Sequence, residues 1–182
     1  MRRIVAFTLL VTSALLSQTD KNKFKTPNDQ SPPKETSVTI NGKEIWIVYH
    51  APSVRGRKVF GGTDALQADN TIWRMGADQA TFLHTDAALD LNGLNVPAGE
   101  YTLFIDLDGG KWSLIVNKQT GQWGIGPGRI PAQDLGRTAM TMSKPPALVE
   151  QHKITLASAG GNKGTLKVEW EHVSASVPFT VK

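Results

Sequence analysis

Arg55, Arg57, Trp73, Arg74 and Asp78 are the residues whose types and spacing could do chemistry. Arg55 and Arg57 stand two apart, so in an extended segment both guanidinium groups leave the same face. Two planar donor forks on one face suit a carboxylate, a sulfate or a phosphate. Trp73 adds a ring and Arg74 a third cation, which completes the outline of a pocket. The competing reading is a clasp, in which the arginines pair with Asp64, Asp69 or Asp78 and bond loop carbonyls. An irregular segment must find partners for its own backbone groups, so both readings stand. Gly56 and Gly76 fit positions of positive φ.

Other chemistry has thinner support. The four histidines, His50, His84, His152 and His172, form no short pair of metal-ligand spacing. A metal site would have to be assembled from distant strands with Asp86 or Glu171, so neither a metal nor a cofactor is expected. No Gly-x-Ser-x-Gly elbow occurs, and no histidine is positioned by sequence to activate Ser53. Asp106 to Gly110 lacks the late Glu of a calcium loop and reads as a hairpin turn. Gly124 to Arg129 is glycine-rich, but no strand-to-helix context makes it a phosphate cradle. Glu169 and Glu171 share one strand face, most simply a solvated one.

The elements that must position these residues are short strands. Val38 to Ile40, Asn41-Gly42 and Glu44 to Tyr49 spell a hairpin, because Asn-Gly supplies the positive φ of a type I′ turn. Ile45, Ile47 and Tyr49 alternate with Trp46, Val48 and His50, so both faces are expected to be covered. Pro52 ends that ladder. Ala80 to Thr85 is a strand, and Asn92-Gly93 joins Ala88–Leu91 to Leu94–Val96. Tyr101 to Asp106 and Lys111 to Asn117 flank Asp108-Gly109-Gly110, with Tyr101, Leu103, Ile105, Trp112, Leu114 and Val116 in phase. Arg137–Ser143, His152–Ala157, Thr165–His172 and Val177–Val181 follow, with Pro178 marking an edge or a bulge. Asp64 to Asp69 could form one helical turn. The pattern predicts an all-β fold, an antiparallel two-sheet β-sandwich, with an open barrel as the alternative.

The ends set the compartment. Arg2 and Arg3 precede an apolar run from Ile4 to Leu16, broken only by Thr8, Thr12 and Ser13. Such a run fits a signal peptide over residues 1–17 and is short of the ~20 residues of a membrane span. Residues 18–37 are polar, with only Phe24 strongly apolar, and read as a disordered linker. Residues 38–182 then form a single domain, exported to the periplasm or beyond the cell and not inserted in the membrane. With no cysteine, disulfides, thiolate metal sites and thiol catalysis are excluded. The formal charge of +4 also misleads, because the leader carries two arginines and the linker a surplus of one lysine. No concentrated basic face remains, which argues against nucleic acid as a partner.

Tyr49, Pro52 to Gly62, Trp73-Arg74-Met75-Gly76-Ala77-Asp78 and Thr81 together resemble the bacterial domain of unknown function 2911 family. The likeness continues through Pro97 to Phe104, Asn117-Lys118, Gln122-Trp123-Gly124, Asp134 to Arg137 and Val149-Glu150. The family usually carries Asn where this chain has Asp78, and often an aromatic residue in the loop that is here Ile125 to Arg129. The resemblance implies an exported β-rich domain and brings no established activity with it.

Three functions compete. The first is a non-catalytic module that binds an anionic or carbohydrate ligand, or a partner, through Arg55, Arg57, Trp73, Arg74 and Asp78. The second is a hydrolase or isomerase using His84, His172 or Asp78 as acid–base groups. The third is a purely structural envelope protein.

Overall fold

The computed structural model describes residues 20–28, 30–124 and 129–182. The expected signal peptide, 1–17, and most of the Gly124–Arg129 loop lie outside the described residues. Among the described residues thirteen strands run in chain order: β1 (Pro33–Ile40), β2 (Lys43–His50), β3 (Ile72–Trp73), β4 (Thr81–Thr85), β5 (Leu89–Leu91), β6 (Leu94–Val96) and β7 (Gly99–Asp108), then β8 (Lys111–Asn117), β9 (Asp134–Ala139), β10 (Thr141–Ser143), β11 (Val149–Gly160), β12 (Lys163–Glu171) and β13 (Val173–Val181).

They form two antiparallel sheets. One has the order β1-β2-β4-β7-β8-β9, with β3 added to β7; the other has the order β11-β12-β13-β5-β6, with β10 added to β13. Neither sheet closes on itself, so the fold is the sandwich and not the open barrel.

The turn chemistry sets the register. Ile40 pairs with Lys43 around Asn41-Gly42, whose φ values are 52° and 73°. Leu91 pairs with Leu94 around Asn92-Gly93, at 49° and 94°. Both are the two-residue turns that only such residues adopt without strain. Asp64 to Asp69 forms no helical turn; the segment is bends and turns held by Lys58 and Asp69. The stretch Arg137–Ser143 is two strands, because the chain crosses at Met140 from β9 in one sheet to β10 in the other. Pro178 lies in central strand β13, between the residues that pair with β10 and those that pair with β5. Its missing donor therefore falls at a break in the flanking ladder.

The predicted faces meet in one core. Ile45, Ile47, Tyr49, Leu103, Ile105, Leu114 and Val116 pack against Leu166, Val168, Trp170, Val177 and Phe179. Side chains also suture the sheets. The Ile154 amide donates to Tyr49 Oη at 3.1 Å, and the Leu156 amide donates to Thr36 Oγ1 at 3.1 Å.

The linker expectation needs correction. Within 18–37, the described residues from Asp20 onward are ordered as a strap over the outer face of the first sheet. Lys21–Phe24 is a turn of 3-10 helix, capped by the Asp20 carboxylate. Phe24 is buried against Trp46, Val48 and Phe82, and β1 starts at Pro33 rather than Val38. Lys21 bridges Glu35 and Glu44, and Lys25 also reaches Glu35. Composition failed here because one aromatic residue and an eight-residue strand pairing suffice to hold an otherwise polar segment.

Candidate functional site

The site is built where the strap, the segment after β2 and the segment after β3 converge. Past His50 the chain leaves the first sheet and joins the second. The Val54 amide donates to the Glu150 carbonyl, the His152 amide donates to the Pro52 carbonyl, and Ser53 bridges Gln151. Glu150 Oε1 then accepts the Arg55 amide at 2.9 Å. After β3, Met75 and Asp78 take left-handed φ values of 57° and 53°, as Arg55 does at 50°. Such geometry costs a non-glycine residue roughly 1–2 kcal/mol, and it clusters at functional sites. Gly76 has no positive φ. It is required because a Cβ there would stand 2.8 Å from the His50 carbonyl oxygen, a close approach that only glycine permits.

These segments enclose a cavity of about 210 Å³ whose lining includes Gln30, Arg55, Arg57, Arg74, Ala77 and Trp170. The three predicted arginines thus share one cavity, but they are not equivalent. Arg57 donates to the Val54 carbonyl through Nε at 3.0 Å and to the Ser53 carbonyl through Nη2 at 2.6 Å. Arg55 donates to the Gln30 carbonyl at 3.1 Å and, weakly, to its side chain at 3.4 Å. Those two arginines do clasp work. Arg74 is half-buried, and its Nε finds no acceptor among the described residues. Burial pushes the Arg74 guanidinium below its ordinary pKa, opposed by the field of Asp78.

Among the described residues, none of the three aspartates expected to pair with the arginines forms an ion pair with them, and Asp78 acts on Arg74 only through its field. Asp64 pairs with Lys58 at 2.8 Å, and Asp69 accepts the Gly62 amide at 2.7 Å. Asp78 accepts the Asn28 side-chain amide at 2.6 Å and does not line the cavity.

Trp73 lies in the core rather than in the cavity wall. It is 1% exposed, and its Nε1 donates to the Gly76 carbonyl at 3.1 Å. Trp170 takes the wall position, stacked on Trp73 and with its own buried Nε1 lacking an acceptor among the described residues. Trp170 alternates with the part-exposed Glu169 and Glu171 along β12 and so faces inward, but alternation alone could not say that this face borders a cavity. His152, read from the sequence only as one of four scattered histidines, is buried among Tyr49, Trp73 and Trp170. Neither ring nitrogen has a partner among the described residues, and burial pushes its pKa down to about 3.

The chain matches the profile of a family described as protein of unknown function (DUF2911) over residues 31–179. It belongs to that family. The match to this DUF2911 family begins inside the strap, two residues before β1, and runs almost to the end of β13. No curated protein and no solved structure matches the chain.

The acid–base candidates of the DUF2911 chain do not converge on the cavity. His84 pairs with Asp86 at 3.0 Å and stacks on Trp46, His172 is exposed just past β12, and neither lines it. Among the described residues, no group of three or more His, Asp or Glu is placed to hold a metal ion. A wider depression of about 500 Å³ at the Asn92-Gly93 end has its acid, Asp90, already paired with Lys182 at 3.4 Å.

Proposed function

We propose that this DUF2911 protein is an exported, non-catalytic module that binds a small anionic ligand in the Arg55–Arg57–Arg74 cavity. The observation that carries the reading is the half-buried Arg74 guanidinium, whose Nε has no acceptor among the described residues. A desolvated cation gains most from an anion brought to it, because the weaker screening strengthens the charge-assisted bond. Arg55 and Arg57 hold the rim and add positive potential without spending all their donors. Trp170 contributes an apolar wall. None of the acid–base candidates His84, His172 and Asp78 lines the cavity, which favours binding over hydrolysis or isomerisation.

The test is a thermal-shift titration with phosphate, sulfate and acetate, each against sodium chloride of equal ionic strength. At a hundredfold excess over Kd, a ligand stabilises the folded state by about 2.7 kcal/mol. Anion-specific stabilisation that disappears in Arg74→Gln is expected. Equal response to chloride in both proteins would sink the proposal.

A further inference from the structure

We infer that a separate cavity, where the β7–β8 turn meets β10 and the start of β13, binds a small organic cation: an ammonium carrying methyl groups or a short apolar chain.

Both sheets build this cavity. Leu107 and Trp112 stand on either side of the β7–β8 turn, Met142 lies in β10, and Val173 opens β13. The segment before β3 closes over them with Phe60 and Asp69. That segment is tied to each sheet. The Asn70 amide donates to the Leu107 carbonyl at 2.8 Å, and the Val59 amide donates to Glu171 Oε1 at 3.1 Å. The enclosed space is about 180 Å³, or about six water volumes, room for an ammonium and a few carbons. It shares no lining residue with the arginine cavity, so it stands independently of the anion reading.

The walls are apolar and aromatic. Leu107, Met142 and Val173 bring no side-chain donor, and Phe60 and Trp112 bring two rings. The ring centroids are 4.8 Å apart with 60° between the planes, so the rings form a corner rather than a flat floor. Ring faces carry partial negative charge and attract a cation, most strongly one that has shed its water. These walls are open to solvent. Phe60, Met142 and Val173 are only partly buried, and Trp112 keeps 5% of its surface.

The charge decides what enters. Asp69 is the one ionisable side chain lining this cavity among the described residues, and it too is only partly buried. The Gly62 amide donates to its Oδ2 at 2.7 Å, and the Asp69 amide donates back to the Gly62 carbonyl at 3.3 Å, which fixes the carboxylate in place. Among the described residues it makes no ion pair, and its Oδ1 has no hydrogen-bond partner. Lys58 stands beside Gly62 but is engaged by Asp64 at 2.8 Å. A hard metal ion asks for several oxygen ligands, and one carboxylate among hydrocarbon walls does not supply them. A neutral hydrocarbon would strip water from the carboxylate and return nothing to it. A methylated or alkylated ammonium suits both surfaces at once, charge to Asp69 and carbon to the rings.

The test is calorimetric titration of the full chain with choline chloride and tetramethylammonium chloride, each against sodium chloride of equal ionic strength. Neohexyl alcohol, in which carbon replaces the nitrogen of choline, is the neutral control. At least one of the two cations should bind at least tenfold more tightly than the alcohol and change the tryptophan fluorescence. Asp69→Asn keeps an oxygen for the Gly62 amide and removes the charge. It should weaken cation binding at least tenfold, leave the alcohol response as it was and melt at the same temperature without ligand. Equal binding of cation and alcohol would make this an apolar pocket only and overturn the inference. So would silence from both cations, or undiminished cation binding by a folded Asp69→Asn protein. Should that variant not fold, choline against the alcohol in the unaltered chain decides the matter alone.

Discussion

Trp170 and Trp73 lie nearly parallel, with ring centroids 5.8 Å apart and 25° between their planes, yet only Trp170 reaches the cavity. The pair joins the core to the candidate site. One indole has its N–H satisfied by the Gly76 carbonyl, and the other's buried N–H has no acceptor among the described residues.

That relationship makes Gly76→Ala damaging in two ways. The new methyl would meet the His50 carbonyl oxygen at 2.8 Å, and the shift it forces would disturb the carbonyl that Trp73 bonds. Overpacking of this kind costs roughly 1–3 kcal/mol, and losing a buried hydrogen bond adds to it. Urea unfolding should show a lower midpoint with an unchanged slope.

The arginines should separate under mutation. Arg57→Ala removes two bonds to backbone carbonyls and should cost about 1 kcal/mol of stability, while anion response weakens without vanishing. Arg74→Gln removes a desolvated cation that has no carboxylate in ion-pair contact among the described residues. It should leave the unliganded protein as stable, or more stable by up to about 1 kcal/mol, while abolishing the anion response. Paired melts with and without phosphate distinguish the two variants.

The strap should be removable at a measurable cost. Phe24 stacks on Phe82 with ring centroids 3.8 Å apart, and Trp46 lies beside that pair. Phe24→Ala should destabilise by about 2 kcal/mol from lost burial and ring contact. Exposure of Trp46 should shift the fluorescence maximum to the red.

His152 sets an acid limit on stability. Its folded pKa is about 3, against an ordinary value of 6.5, so the unfolded chain binds the extra proton between those values. Stability is therefore intact above pH 6.5 and falls by about 1.4 kcal/mol per unit toward pH 3, below which both states are protonated. Denaturant titrations from pH 8 to pH 4 should show this slope. His152→Phe, which fills the same aromatic nest, should flatten it.

Most of the sandwich was legible because its turns are written in residues that admit few alternatives. Asn41-Gly42 and Asn92-Gly93 fix two hairpins, and alternation in Thr165–His172 names the buried face. Three things were not legible. Pairing across the two sheets, such as Ser53 with Gln151, depends on segments a hundred residues apart. The docking of Phe24 is a single long-range contact that no window of composition registers. The division of labour among Arg55, Arg57 and Arg74 depends on which carbonyls lie within reach, and spacing carries no information on that. The same spacing could not tell that Trp73 would serve the core and Trp170 the cavity.

The cavity draws one wall from the strap at Gln30 and another from β12 at Trp170, with nearly the whole described chain between them. A partly folded molecule, with its sheets formed but its beginning undocked, would have the arginines without the enclosure. Ligand affinity would then report on completion. A molecule trimmed before its first strand, or caught midway through refolding, should ignore the ligand even while its circular dichroism already looks native.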